Sequence, residues 1–163
     1  MDYTTSQAKI WRDPEFFIAF GFGAGLIPIA PGTWGTLVAI PLYLLMVHLP
    51  LTLYIIITAI GFLLGIFITG RVSKALKIHD FSGIVWDEII GYLITMTAIP
   101  AKPLWIILGF ILFRIADIWK PQPIRFIDQH VHGGLGIMLD DLLAALPCLA
   151  ILQIIIYLQT KIS

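Results

Sequence analysis

Polar and apolar positions divide this chain into long greasy blocks with short charged interruptions. From Phe16 to Gly70, 55 consecutive residues carry no Asp, Glu, Lys or Arg. A membrane-crossing helix takes about 20 residues, so the block is too long for one crossing and too short for three with turns. Leu51 to Gly70 reads as one full crossing, Gly35 to His48 as a shorter one, and "HLP" as the turn between them. Upstream, "FGFGAGLIPIAPGTWGT" is rich in the residues that break regular helix. Irregular backbone survives at membrane depth only where protein or water covers it. Phe20 to Trp34 is therefore expected to be a re-entrant or interfacial stretch leading into a site.

The next apolar block, Ile89 to Phe113, contains "PAKP". Two prolines around a lysine predict a turn, giving a hairpin with arms from Ile84 to Pro100 and from Pro103 to Trp119. Arms this short are usable if the bilayer thins or their ends sit among headgroups. Leu142 to Gln159 is the final crossing. The pattern predicts an all-α, polytopic helical membrane protein with about five spans, a Gly/Pro-rich N-terminal stretch and a single domain over residues 1–163.

Composition agrees. Hydrophobic residues make up 59% of the chain, charged residues only 12%, and mean hydropathy is +0.95, where a soluble domain has about 25% charged residues. Zero net charge gives no bulk attraction to nucleic acid. One cysteine, Cys148, excludes a disulfide framework and a cysteine metal site. The N-terminus lacks the basic-then-apolar pattern of a cleaved signal peptide, so the first apolar segments are expected to persist.

A hairpin at "PAKP" places the loops Arg71–Glu88 and Arg114–Asp141 on one side, with Arg71, Lys74, Lys77, Arg114, Lys120 and Arg125. Lys102 and Lys161 fall on the other. The excess of basic residues makes the crowded side cytoplasmic. Trp11, Trp34, Trp86, Trp105 and Trp119 all lie near ends of apolar segments, as an interfacial belt requires.

The acids are the sharpest feature. Beyond the N-terminal tail there are seven: Asp80, Asp87, Glu88, Asp117, Asp128, Asp140 and Asp141. All fall in those two loops or in the first turns of the bordering spans, and none sits mid-span. Asp80 and Asp87 share a face if their stretch is helical. Arg114, Asp117 and Lys120 recur every three residues. Asp140 and Asp141 follow "HGGLG", read as a glycine turn at a helix start, where the helix dipole favours a carboxylate. That dipole accounts for one acid of a pair, not for five or six converging beside Arg114, Lys120 and Arg125. Clustered hard oxygen ligands suit Mg²⁺, and the cations suit phosphate. A charged loop whose ion pairs only fix topology is the plainer alternative.

Several known phosphate-handling chemistries lack their residues here. Six positions after Cys148 stands Ile154, not Arg. There is no Asp-x-Asp, Asp-Gly or Ser-Gly-His step. Acids outnumber the nitrogen ligands His79, His130 and His132, which disfavours zinc.

"HDFSGIVWDEIIG" (His79 to Gly91), "FRIADIWKPQPIRFID" running into "GGLGIMLDDLLAA", and "PGTWGT" (Pro31 to Thr36) together resemble the phosphatidylglycerophosphatase A family. The resemblance covers about Gly21 to Ala145. It departs at Ala145, where the family often has Gly. It implies a helical Mg²⁺-dependent lipid phosphatase of the bacterial inner membrane that converts phosphatidylglycerophosphate to phosphatidylglycerol, with its site on the cytoplasmic side. Carried onto these motifs, the expected catalytic acids are Asp80, Asp87, Asp117, Asp140 and Asp141. The expected Mg²⁺ ligands are Asp87, Glu88, Asp117, Asp140 and Asp141. Arg114, Lys120, Arg125, Thr33 and Thr36 are expected to bind the phosphate. The partner expected is the lipid substrate, with homo-oligomerisation left open. The alternatives are a cation transporter, which would place acids mid-span, and a lipid-binding scaffold, which clustered acids would hinder.

Overall fold

The computed structural model describes residues 11–78, 81–119, 122 and 130–162. Among these the chain forms six α-helices and one short 3-10 stretch, with no strand. The helices are α1 (Pro14–Ala19), α2 (Pro31–Met46), α3 (Leu51–Leu76), α4 (Trp86–Thr95), α5 (Pro103–Trp119) and α6 (Gly133–Ile162), and the 3-10 stretch is Gly21–Leu26.

Local sequence explains the boundaries. Helices α1, α2 and α5 each begin with a proline, whose fixed φ suits the first helical position and whose missing N–H has no partner there anyway. Asp13 caps α1 by accepting from the Glu15 amide at 3.0 Å. Helix α3 ends where Lys77 turns left-handed at φ 57°. Between α1 and α2 the backbone is irregular, as "FGFGAGLIPIAPG" predicts: Gly21, Phe22, Gly23 and Ala30 all have positive φ.

The "PAKP" hairpin forms, with α4 and α5 as its arms. The carbonyls left over around its turn are taken up by other helices. The hydroxyl of Tyr43 on α2 donates to Ile99 O at 2.6 Å, and that of Tyr54 on α3 donates to Leu93 O at 2.6 Å. Gln153 Nε2 on α6 donates to Thr97 O at 3.0 Å. The free carbonyls of a helix end need such donor partners when water is scarce.

The expected count of about five spans is corrected. Two helices, α3 and α6, are long and apolar enough to cross a membrane. The other three expected crossings are shorter: α2 has 16 residues, α4 has 10 and α5 has 17. At about 1.5 Å per residue, α4 reaches only about half a bilayer core, because Met96 to Lys102 leave the helix. Only 17% of the most apolar stretch of α3 and 28% of that of α6 is buried within the chain. Leu53, Ile56, Ile60, Leu63, Leu64 and Phe67 of α3 point outward, which suits lipid and not water.

"HGGLG" is not a turn. Helix α6 already starts at Gly133, so Asp140 and Asp141 lie two turns inside it and not in its dipole-favoured first turn. Gly133, the first residue of the helix, does take a positive φ of 76°, whereas Gly134 serves packing. A Cβ at Gly134 would run into the backbone of Ile66 and come within 2.7 Å of Gly70 N. Small residues of this kind let two helix backbones approach closely, and α3 packs on α6 through this contact.

Candidate active site

One end of the bundle gathers the starts of α2, α4 and α6 and the ends of α3 and α5. There a cavity of about 240 Å³ opens, lined by Gly32, Ser82, Asp87, Glu88, Arg114, Asp117, Asp140 and Asp141 together with Ala30, Pro31, Ile84, Val131, Gly136 and Ile137. Each helix contributes by register. Asp87 and Glu88 sit in the first turn of α4, where the dipole favours them. Arg114 and Asp117 share a face of α5 three residues apart, and their side chains meet at 2.6 Å. Asp140 and Asp141 come from α6.

The carboxylates are buried: Asp87 is 8% exposed, Asp140 6% and Asp141 3%. Arg114 is the cation among them. Its Nη1 lies 2.6 Å from Asp117 Oδ2 and 3.9 Å from Glu88 Oε1. Two groups of carboxylates, Asp87–Glu88–Asp141 and Asp117–Asp140–Asp141, bring one oxygen per residue to within 4.8 Å of one another. Asp141 Oδ2 and Glu88 Oε2 are buried and accept no hydrogen bond among the described residues, and Arg114 Nε donates none. A buried orphan oxygen is costly unless something arrives to satisfy it, and an all-oxygen donor set fits a hard divalent cation.

The sequence reading is brought together in large part. Asp87, Glu88, Arg114, Asp117, Asp140 and Asp141 all line this one cavity. Asp80, Lys120, Arg125 and Asp128 lie outside the described residues. Thr33 and Thr36 do not line it: Thr36 is fully buried and donates to Gly32 O at 2.9 Å. The "PGTWGT" motif reaches the site through backbone instead. A Cβ at Gly32 would meet Glu88 Oε1 and come within 3.1 Å of Arg114 Nη1, so a larger residue there would displace that pair. Gly32 and Ser82 were not singled out in advance, although both lie in quoted motifs; which member of a motif faces a cavity depends on packing between distant helices.

The profile of the family described as phosphatidylglycerophosphatase A matches residues 17–156. Phosphatidylglycerophosphatase A of Escherichia coli (strain K12) is 44% identical over 155 residues, covering 94% of this chain and 90% of the relative. Phosphatidylglycerophosphatase A of Haemophilus influenzae is 42% identical over 147 residues, covering 89% and 90%. A putative phosphatidylinositol-3-phosphatase of Bacteroides thetaiotaomicron is 38% identical over 148 residues, covering 82% and 89%. No solved structure matches the chain significantly. With a family match over most of its length, and with every described acid of the shared motifs turned into one cavity, the chain belongs to the phosphatidylglycerophosphatase A family.

Proposed function

We propose that the chain hydrolyses phosphatidylglycerophosphate to phosphatidylglycerol and phosphate in a Mg²⁺-dependent reaction. The observation that carries this reading is the cavity itself: five carboxylates, three buried and two partly buried, around one arginine at the end of an apolar bundle, in a chain whose relatives bear that name. Asp87, Glu88, Asp117, Asp140 and Asp141 would hold Mg²⁺, which when bound neutralises charge and polarises the phosphoryl group. Arg114 binds the phosphate through the face of its guanidinium that Asp117 leaves open. Asp117 and Glu88 hold that guanidinium in place. A carboxylate of the cavity orients the attacking water or itself attacks phosphorus. Gly32, Ile84 and Ile137 form uncharged parts of the cavity wall.

We further propose that all five long elements are membrane-embedded, with α3 and α6 crossing fully and α2, α4 and α5 packed between them, in the bacterial inner membrane. The basic residues Arg71, Lys74 and Lys77 at the end of α3 support a cytoplasmic position for the acid end by the positive-inside rule. A lipid phosphomonoester then presents its phosphate at the depth of the cavity.

The test is phosphate release by purified protein from a panel of lipid phosphomonoesters that includes phosphatidylglycerophosphate and phosphatidylinositol 3-phosphate, with EDTA and with Mg²⁺. Release from phosphatidylglycerophosphate only with Mg²⁺ is expected. Full turnover in chelator, or no turnover on any member, overturns the reading.

A further inference from the structure

Five carboxylates are more than one Mg²⁺ ordinarily takes, since that ion keeps much of its shell for water and phosphate oxygens and uses about one or two carboxylates. The acids also do not form one ring. Asp87 and Glu88 approach from α4, and Asp117 and Asp140 approach from α5 and α6. The two groups meet at Asp141, the member common to both. Asp141 is 3% exposed, it lines the cavity, and its Oδ2 accepts no hydrogen bond among the described residues. Resting on the phosphatase reading above, we propose that the cavity holds two divalent cations side by side, with the Asp141 carboxylate shared between them, one ion completed by Asp87 and Glu88 and the other by Asp117 and Asp140.

Charge supports the pair. Among the described lining residues, five carboxylates face one guanidinium. One divalent ion would leave two negative charges in a buried site that must admit a phosphate dianion. Two ions bring the site to neutrality, so that the phosphate's own charge is not opposed. Like charges this close cannot otherwise remain ionised together. The two sources of ligands also fit: each ion takes carboxylates from a different helix pair, with α6 common to both.

The experiment uses the full chain in detergent, stripped of metal and titrated with Mn²⁺, a spectroscopic stand-in for Mg²⁺. The bound stoichiometry and the electron paramagnetic resonance spectrum are measured. Two Mn²⁺ per chain are expected, and at saturation the six-line spectrum of isolated ions gives way to that of a spin-coupled pair, because ions in two-metal sites sit about 3.5–4 Å apart. In Asp117→Asn, one Mn²⁺ per chain with an uncoupled spectrum is expected. One ion per chain in the unaltered protein, or two ions without coupling, overturns the proposal whatever the variant does. Lipid phosphate release with Mg²⁺ is measured on the same preparation. Turnover with a single bound ion sinks the paired site and leaves the phosphatase standing, whereas a coupled pair without turnover on any lipid phosphomonoester upholds the pair and sinks the phosphatase.

Discussion

At the α4–α5 turn, carbonyls released from helix are claimed by side chains from three other helices: Tyr43, Tyr54 and Gln153. At the opposite end of the bundle, Asp141 Oδ2 and Glu88 Oε2 are equally removed from water and accept no hydrogen bond among the described residues. Both ends bury oxygen, yet at one end the backbone carbonyls Ile99 O, Leu93 O and Thr97 O are satisfied internally, with Thr95 Oγ1 an exception, whereas carboxylate oxygens at the other are not. A completed end lowers the free energy of the fold. An incomplete one raises it, and offers an arriving ligand groups that it can satisfy. The same polar chemistry therefore divides into closure at one end and readiness at the other.

The widest separation of the two ends should come from metal removal. EDTA is expected to abolish turnover while leaving the tyrosine-closed end intact, so the protein should stay folded by circular dichroism, and added Mg²⁺ should restore activity. Alkylation of Cys148, buried on α6 away from the cavity, should not mimic this loss.

Next in size are the carboxylates. Asp140→Asn and Asp141→Asn should each cost about 10²–10³-fold or more in rate. In chelator their melting temperatures should be unchanged or higher, because an amide relieves repulsion among buried carboxylates. A fall in stability with normal turnover would show the pair to be structural and would erase the contrast.

Tyr43→Phe should do the reverse. Leaving Ile99 O without its 2.6 Å donor costs about 1–3 kcal/mol of stability, measured by thermal unfolding in detergent, while turnover per folded molecule stays near normal. The smallest effect is expected at Thr33→Val. Thr33 does not line the cavity, so turnover should stay within about threefold, and stability within about 0.5 kcal/mol as for ordinary substitutions. A loss as large as that at Asp141 would restore Thr33 to the phosphate-binding role its motif implies.

Much of this arrangement could be read from the chain alone. The acids' restriction to two loops and their borders places Asp87, Glu88, Asp117, Asp140 and Asp141 together before any coordinates exist. The i,i+3 spacing of Arg114 and Asp117 and the prolines of "PAKP" are local signals, and local signals survive folding. What failed was decided at a distance. "HGGLG" looks like a turn because glycine is a poor helix former, but contact with α3 at Ile66 and Gly70 holds it helical. Thr36 turns inward because its hydroxyl finds Gly32 O on its own helix, a choice no motif discloses. Crossing number failed for a third reason: apolar composition marks what can sit in lipid, whereas helix length is set by where Thr95 and Pro103 stop and restart the backbone.

The placement of Asp140 and Asp141 on α6 also orders events in time. As the chain leaves the ribosome, Asp87 and Glu88 emerge first, then Arg114 and Asp117, which can pair at once within a single helical turn. For that interval the acid end holds three of its five carboxylates and its guanidinium, a formal charge of −2 against −4 once α6 has arrived. The remaining two acids arrive with α6, whose seat against α3 is cut by Gly134. The half-made protein is thus spared part of the repulsion that the finished one contains, and the acid cavity is complete only when the C-terminal helix docks.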